Sequence, residues 1–494
     1  MLWPGPGWAL FCLAVLIPAV VLVVRSVQLG GSAGVSFWPS VRQWTLLGRT
    51  AWLAACGVLA CLVLSLPAAY VVGRLGRTSR GPLIGALLLA PLLLPPMVYA
   101  FGWQRTGLSL LQGRPGCVWV WASWCWPIPA LLMGSGWARG GRASYAAALL
   151  DASPPGAFIR VVVPLLARQA AVAGLILLVL FLGEYSVPHA CGLTVLATEL
   201  LGWAANSDRP ADVLLPALPL AATALVGLVV LHRVWRRAAW EESAADGLPG
   251  PPVGTGRLVA LMLLVDAGTV ALPIGLLTAE AGSWSAMAGA LRTYGGELAA
   301  SLAVSAATGL LAVGMGLSLV GGRGLRGLAL VAAVLWGVLP GALVGEAILT
   351  AYQRFPILYD HWPLLVIGYL ARFAWIGIGV AWLAAVSLDR GMAEQARTDG
   401  AGEGAILRRL ALVPQAPLLL CGVATVAALS LADLAVASLV QVPSVGLVSL
   451  KLIESFHRFE DGMLVSLSLW LVAAAAPAAL LAWVALRARR GGIG

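Results

Sequence analysis

The stretch AEQARTDGAGEGAILRRLALVPQ, Ala393 to Gln415, is polar and glycine-jointed, yet apolar runs long enough to cross a bilayer lie on both sides of it. Glu394, Asp399 and Glu403 alternate with Arg397, and Arg408 and Arg409 follow before the hydrophobic text resumes. Glycine permits a tight bend, so Glu394 to Asp399 reads as one short helix, Gly400-Ala401-Gly402 as a joint, and Glu403 to Leu410 as a second helix. A segment of this kind between spans belongs in water, at a membrane face.

The rest of the chain fixes that setting. Of 494 residues, 60% are hydrophobic and 11% charged, against roughly a quarter charged in soluble domains. Lipid leaves helices or closed barrels as the spanning options, and a helix needs roughly 20 apolar residues. The runs here are long and do not alternate, which excludes strands and predicts an all-α integral membrane protein. Twelve spans are expected, near residues 8–25, 46–73, 82–102, 117–137, 168–188 and 212–232, then 257–279, 296–321, 326–350, 363–388, 416–438 and 462–486. The N-terminal text has no basic leader region and no small-residue cleavage site, so it reads as a retained first span. Residues 236–256, rich in Gly and Pro, read as a linker between a first unit, 1–235, and a second, 257–494.

Charge placement orients the bundle. The net charge of +10 is not one nucleic-acid-binding patch, because the arginines fall at the ends of apolar runs. With both termini cytoplasmic, about two-thirds of the Arg and Lys side chains fall on cytoplasmic connections, among them Arg74, Arg139, Arg160, Arg233, Arg323, Arg397 and Arg487. Arg25, Arg105, Arg114, Arg209, Arg292, Arg354, Lys451 and Arg458 fall outside, and Arg372 lies within a span. Ala393–Gln415 is then cytoplasmic.

The halves echo each other. Ala147 and Ala396, Arg160 and Arg409, Leu182 and Leu431, and Glu184 and Asp433 are each separated by 249 positions (409 − 160, 433 − 184). Six spans per half give both halves the same orientation, a parallel repeat about an axis along the membrane normal. The counterpart of the opening stretch is SYAAALLDASPPGAFIRVVVPLL, Ser144 to Leu166, with its break at Asp151-Ala152-Ser153-Pro154-Pro155.

These two loops, 144–166 and 390–415, resemble the membrane-spanning permeases of binding-protein-dependent ATP-binding-cassette (type I ABC) importers. That family's cytoplasmic loop reads Glu-Ala-Ala-x3-Gly-x9-Ile-x-Leu-Pro. Glu394, Ala396, Gly400 and Leu412 fall at matching positions, with Gln395 for the first Ala and Pro414 one residue late. In the first loop Ala146, Ala147 and Pro164 match, while Tyr145 stands for Glu and Asp151 for Gly. FLGEYSVPHACGLTVLATEL (Phe181–Leu200), SLADLAVASLVQVPSVGLVSLKL (Ser430–Leu452) and YLARFAW (Tyr369–Trp375) resemble the fused permeases of ferric-iron and thiamine importers. The resemblance implies that the loops dock two cytoplasmic ATPase subunits, which carry ATP and Mg, and that an extracytoplasmic binding protein delivers a small solute, ferric iron first and thiamine next. It also implies a bacterial inner membrane. The coupling residues it implies are Tyr145, Ala146, Ala147, Asp151, Ala152 and Pro164, and Glu394, Ala396, Arg397, Gly400, Ala401, Leu412 and Pro414.

The chain itself carries no ATPase chemistry: a phosphate loop ends Gly-Lys-Ser/Thr, and Lys451 is the only lysine in the sequence. No metalloprotease or serine-hydrolase motif occurs, and His189, His232, His361 and His457 show no i, i+4 pairing, so no resident metal or cofactor is expected. The cysteines are odd in number, 7, and lie mostly in apolar text, which reads as packing.

Three charges inside or at the ends of spans are the candidates for the translocation pathway: Glu184, Arg372 and Asp433. Arg372 sits nine residues after Pro363, about 13 Å into its span at 1.5 Å per residue, at a cost of at least about 2.5 kcal/mol. It needs water, backbone carbonyls or an acid. Glu184 and Asp433 each lie about 24 Å along their helices from the cytoplasmic end. They are expected to face a central path or pair with Arg372, or else to be satisfied locally at helix ends. A proton-coupled twelve-span carrier using these acids is the competing reading.

Overall fold

A computed structural model describes residues 5–30, 40–75, 81–137, 142–206, 211–239, 255–281, 283–321, 326–386, 390–458 and 460–491. Among these, secondary structure is helical apart from one isolated bridge between Val442 and Val445. Most of the expected linker, 240–254, lies outside the described residues.

Eight described helical stretches are long and apolar enough to cross a membrane: Gly5–Gln28, Val41–Leu75, Leu166–Gly183, Val213–Val230, Gly256–Glu280, Trp284–Val320, Pro363–Ala385 and Val413–Ala432. Three more expected spans are bent pairs: Leu83–Leu92 with Pro96–Gln104 at 79°, Gly113–Cys125 with Pro127–Gly136 at 46°, and Gly327–Val338 with Gly341–Tyr352 at 110°. The straight spans expected over 82–102, 117–137 and 326–350 are therefore broken. Proline supplies the reason, since it removes a backbone donor and clashes with the carbonyl four residues back. Pro95 and Pro340 stand directly before the second limb of their pairs in similar extended conformations (φ −59°, ψ 128° and φ −52°, ψ 137°). The last expected span, 462–486, falls within the helix Asp461–Gly491.

Proline also marks four widened helical turns among the described residues. The π-turns Cys12–Leu16, Phe158–Val162, Ala267–Ala271 and Leu407–Leu412 each end two residues before a proline: Pro18, Pro164, Pro273 and Pro414. Inserting one residue lets the chain pass the missing donor without breaking the helix.

Element order recurs along the chain. A shift of 249 positions (403 − 154, 435 − 186) carries Pro154–Ala157 onto Glu403–Ile406 and Ser186–Ala190 onto Ala435–Leu439. Packing recurs too. Val41–Leu75 lies along Pro127–Gly136 as Trp284–Gly321 lies along Pro363–Val386, and Val163–Gly183 packs on Ala211–Ala239 as Val413–Ala432 packs on Asp461–Gly491. The leading helices cross over: Gly5–Phe11 packs on Trp284–Gly321, and Thr255–Asp266 on Val41–Leu75.

Backbones touch where small residues allow it. A Cβ on Gly316 would lie 2.5 Å from the Gly377 carbonyl oxygen, and one on Gly377 would lie 2.3 Å from that of Ala312. Small residues drive such close crossings where lipid removes the hydrophobic incentive for helices to associate. The buried centre joins both halves around Trp121, Phe181, Met97, Leu196, Val344 and Leu364.

Candidate functional site

The 110° break at Pro340 is where the intramembrane charges gather. Helix Arg326–Val338 ends there, and its last carbonyls have no helical partner. The Arg372 guanidinium, on helix Pro363–Val386, fills that need. Its Nη1 donates to the Gly337 carbonyl at 3.2 Å and to the Leu339 carbonyl. A cation also suits the negative end of a helix dipole. Arg372 Nε lies 3.7 Å from Asp433 Oδ2, with the two side chains 15% and 10% exposed. The other Asp433 oxygen, Oδ1, accepts the Val436 N–H at 2.8 Å, capping the short helix Ala435–Leu439. Gly341 brings that helix in: a Cβ there would sit 2.6 Å from the Ala435 Cβ and 3.9 Å from Arg372 Cζ.

Glu184 does the equivalent work in the other half. Its carboxylate accepts the N–H groups of Ser186 at 2.6 Å and Val187 at 3.1 Å, capping Ser186–Ala190, and also takes the Trp121 indole N–H at 3.0 Å. It is satisfied locally, without a hydrogen bond from Arg372 among the described contacts, although its charge acts on the guanidinium. The two halves meet here, because Gly183 lies against the Val338 carbonyl and Pro340. Thus Arg372 and Asp433 are brought together, and Glu184 stands beside the same break. Position 123, 249 before Arg372, is a serine whose hydroxyl accepts the Trp103 indole N–H at 3.2 Å. The first half has no cation to match.

The two loops fold as helix, turn, helix, π-turn. In the second, Arg390–Thr398 ends at Gly400, whose φ of +82° suits glycine. The Ala401 N–H reaches the Ala396 carbonyl (2.9 Å) and the Gly400 N–H that of Arg397 (3.1 Å), a glycine-dependent helix stop. In the first loop, Asp151 replaces glycine and the turn closes differently, with the Ala152 N–H on the Ala148 carbonyl at 2.9 Å. Tyr145 is buried, packed with Trp137 (ring centres 6.2 Å apart) and Ala157. It anchors the loop to the bundle. Ala147, Asp151, Pro164, Glu394, Arg397, Gly400 and Pro414 are exposed, while Ala146, Ala152, Ala396, Ala401 and Leu412 are partly covered. Leu150, 86% exposed, and Met392, 56% exposed, add apolar surface to both polar loops.

On the expected outer side, Arg105 joins three segments, with Nη1 2.7 Å from Glu280 Oε1 and Nη2 2.9 Å from Asp461 Oδ1. The hydrogen bond from Arg105 holds the Asp461 carboxyl below the usual carboxylate range. Far apart in sequence, His189 and His457 meet edge to face at 5.4 Å, with Tyr185 stacked on His189 at 4.9 Å. Sequence spacing carried no signal for that meeting. A cavity of about 410 Å³ opens beside it, lined by His189, Thr194, Thr198 and Glu199. Among the described residues, no group of three or more His, Cys, Asp or Glu is placed to hold a metal ion. Of the remaining intramembrane acids, Glu346 accepts the Thr350 hydroxyl at 3.1 Å, and Asp266 Oδ1 is buried without a hydrogen-bond partner.

Fold and site together define an all-helical, multi-pass membrane protein with broken spans around a buried arginine. Comparison with protein-family models, with curated proteins and with solved structures gives no match at a significant level.

Proposed function

We propose that this chain is the permease subunit of an ATP-driven importer of the ABC type, with two parallel-related six-span repeats fused in one polypeptide. The observation that carries the reading is the pair of helix–turn–helix loops, recurring with their π-turns at one displacement and each offering exposed apolar residues next to charged ones. Leu150 beside Asp151, and Met392 beside Glu394 and Arg397, form the mixed surface that a soluble partner covers. Two ATPase subunits carrying ATP and Mg dock there from the cytoplasm, and their closure moves the π-turned helices Val163–Gly183 and Val413–Ala432. An extracytoplasmic binding protein delivers the solute, ferric iron before thiamine, and both termini of the permease face the cytoplasm of a bacterial inner membrane. This chain hydrolyses nothing and binds no cofactor; it provides the path and the lever.

Arg372, Asp433 and Glu184 lie where that path is hinged. By tying the freed carbonyls at Pro340 to Asp433, Arg372 fixes the bend of a broken span against the helix that follows the second loop. Motion at the loop is thereby handed to the middle of the bundle.

Affinity-tagged protein extracted mildly from its native membrane is expected to retain two ATPase chains per permease. Replacing Glu394 and Arg397 with oppositely charged residues is expected to release ATPase while leaving insertion intact. A permease that takes up solute at full rate without any ATPase bound would end the proposal. The competing reading, proton coupling, would use the carboxyl of Glu184 or Asp433. Uptake by the wild-type chain separates the two, since an ATP-driven importer keeps uptake after collapse of the proton gradient and loses it without ATP, whereas a proton-coupled carrier does the reverse.

A further inference from the structure

Beyond the span Leu166–Gly183, rings from the two halves meet in one cluster. Tyr185 and His189 of the first half stack with ring centres 4.9 Å apart, and His189 meets His457 of the second half at 5.4 Å. Phe456 lies 6.0 Å from His189 and stacks on Phe101 at 5.2 Å. The cluster thus joins three helices: Pro96–Gln104, Ser186–Ala190 and Val448–His457. The first two are also fastened directly, since the Gln104 side-chain N–H donates to the Ala190 carbonyl. Val448–His457 packs mainly on Trp284–Gly321 and Asp461–Gly491 of its own half, so its tie to the first half runs through the rings.

A charge on these imidazoles finds no counter-ion among the described residues. Nε2 of His189 is buried without a hydrogen-bond partner. Glu184, five residues before His189, is taken up by the Trp121 indole and the N–H groups of Ser186 and Val187. Glu199, which lines the same cavity as His189, is held by Arg42 at 2.6 Å. Glu454, three residues before His457, is held by Lys451 at 2.8 Å and by Arg458 at 2.7 Å. Elements packed on the two carrier helices add Tyr99, Arg114, Cys117 and Cys125 on one side, and Arg292, Tyr294 and Glu297 on the other. Arg105, next after Pro96–Gln104, is occupied by Glu280 and Asp461. Protons nevertheless have access, because the cavity of about 410 Å³ reaches His189 and His457 is exposed. Packing does not call for an imidazole here: 249 positions after His189 (438 − 189) stands Ser438, whose hydroxyl donates to the Ala435 carbonyl at 3.1 Å.

We infer that His189 and His457 form an acid-released latch between the two halves. With both rings neutral the cluster holds Ser186–Ala190 to Val448–His457, and protonation parts them. Two imidazolium ions at this separation repel, and no acid is placed to offset either charge. Burial first, and the charge of His457 second, hold the His189 imidazole below its ordinary value of 6.5. A released ring takes up its proton nearer 6.5, so the latch is intact above about pH 6.5. Opening is favoured progressively as pH falls from there towards the lowered value. For one imidazole that titrates near 6.5 when released, the gain in opening between pH 8 and pH 5 is at most about 30-fold. The inference rests on the importer reading only for placing the cluster at the outer face, where the acidity of the medium acts on it.

The test is hydrogen exchange on the full chain in lipid nanodiscs at pH 8 and pH 5, each rate divided by the intrinsic rate of its amide. At pH 5 protection is expected to fall together over residues 187–192 and 455–458, by up to about 30-fold. It is expected to stay constant in the loop helix Arg390–Thr398. His189→Phe/His457→Phe keeps two rings and removes both protonation sites, and is expected to stay protected at pH 5. His189→Gln and His457→Gln, each alone, are expected to shrink the response. Equal protection at both pH values in the wild type overturns the inference, and so does a double Phe variant that keeps the full response. If the double Phe variant does not fold, His189→Gln/His457→Gln takes its place, and a full response there overturns the inference equally. Nanodiscs expose both faces and hold no ATPase, so this result does not depend on the importer reading. ATP-driven uptake is measured on separate vesicles, and the two failures are read independently.

Discussion

Arg372 carries more of this structure than any other single side chain. Replacing it with Met leaves Asp433 without its cation and the Gly337 and Leu339 carbonyls without donors, in a buried setting. Breaking a buried pair by removing one partner costs about 3–5 kcal/mol, so Arg372→Met is expected to lower the unfolding temperature sharply in detergent. Arg372→Met/Asp433→Asn is expected to recover part of that loss, because the stranded carboxylate is gone. A double variant no more stable than Arg372→Met would mean that the carbonyls, not Asp433, are the partners that matter. Arg372→Lys keeps the charge but not the planar fork that serves a bent backbone and an acid together. Sequence made part of this legible. The cost of an arginine deep in a span demanded a partner, and backbone carbonyls and an acid were among the options. Which carbonyls they are depends on a 110° bend that no local pattern encodes. Tyr145 taught the opposite lesson. By position it stood where the family signature has an exposed acid, yet its ring is buried against Trp137, a residue eight positions earlier on the preceding helix.

The two loops show how one glycine changes an element. Gly400 holds a left-handed conformation at the end of Arg390–Thr398. Gly400→Ala forces a Cβ into that conformation at a cost of about 1 kcal/mol. Hydrogen exchange is expected to speed up across Arg390–Ile406, and ATPase binding is expected to weaken. Asp151 occupies the matching position in a turn that needs no left-handed residue, so Asp151→Ala is expected to change stability by less than about 0.5 kcal/mol. Equal effects from both substitutions would contradict the difference in turn geometry. Helix, joint and second helix were all legible in the loop sequence. The π-turns were not. Their cause, a proline two residues on, is plain in the sequence, but a proline permits a kink, a break or a widened turn, and tertiary packing chooses among them.

Across the whole molecule, Arg105 ties the end of Pro96–Gln104 to Glu280 and to Asp461, residues far apart in the chain. The Asp461 carboxyl is held below its ordinary value, so its contribution to stability is present above about pH 4 and fades as pH falls through the lowered value. The difference in unfolding temperature between wild type and Asp461→Asn is therefore expected to stay constant from about pH 8 to pH 5 and to shrink below about pH 4. Asp461 is 63% exposed, which keeps the difference small and salt-sensitive. A difference that grows on acidification would show that the ion pair is not its source. At this scale the all-helical membrane class was legible from composition, and the 249-residue echo was legible from four residue pairs. The meeting of His189 with His457 was not, since contacts between distant parts of a chain leave no mark on either neighbourhood.

The crossed leading helices bear on how such a chain is made. Gly5–Phe11 leans on Trp284–Gly321, and Thr255–Asp266 leans on Val41–Leu75; a Cβ on Gly7 would come within 2.4 Å of Ser318. Each proposed repeat thus lends its first helix to the other, as neighbours interlock arms. If the gene were cut within codons 240–254, neither product alone would have a seat for its opening helix, and each made singly is expected to be degraded. Made together from two messages, the pieces are expected to copurify. Stable accumulation of either piece by itself would show that the exchange of arms is dispensable.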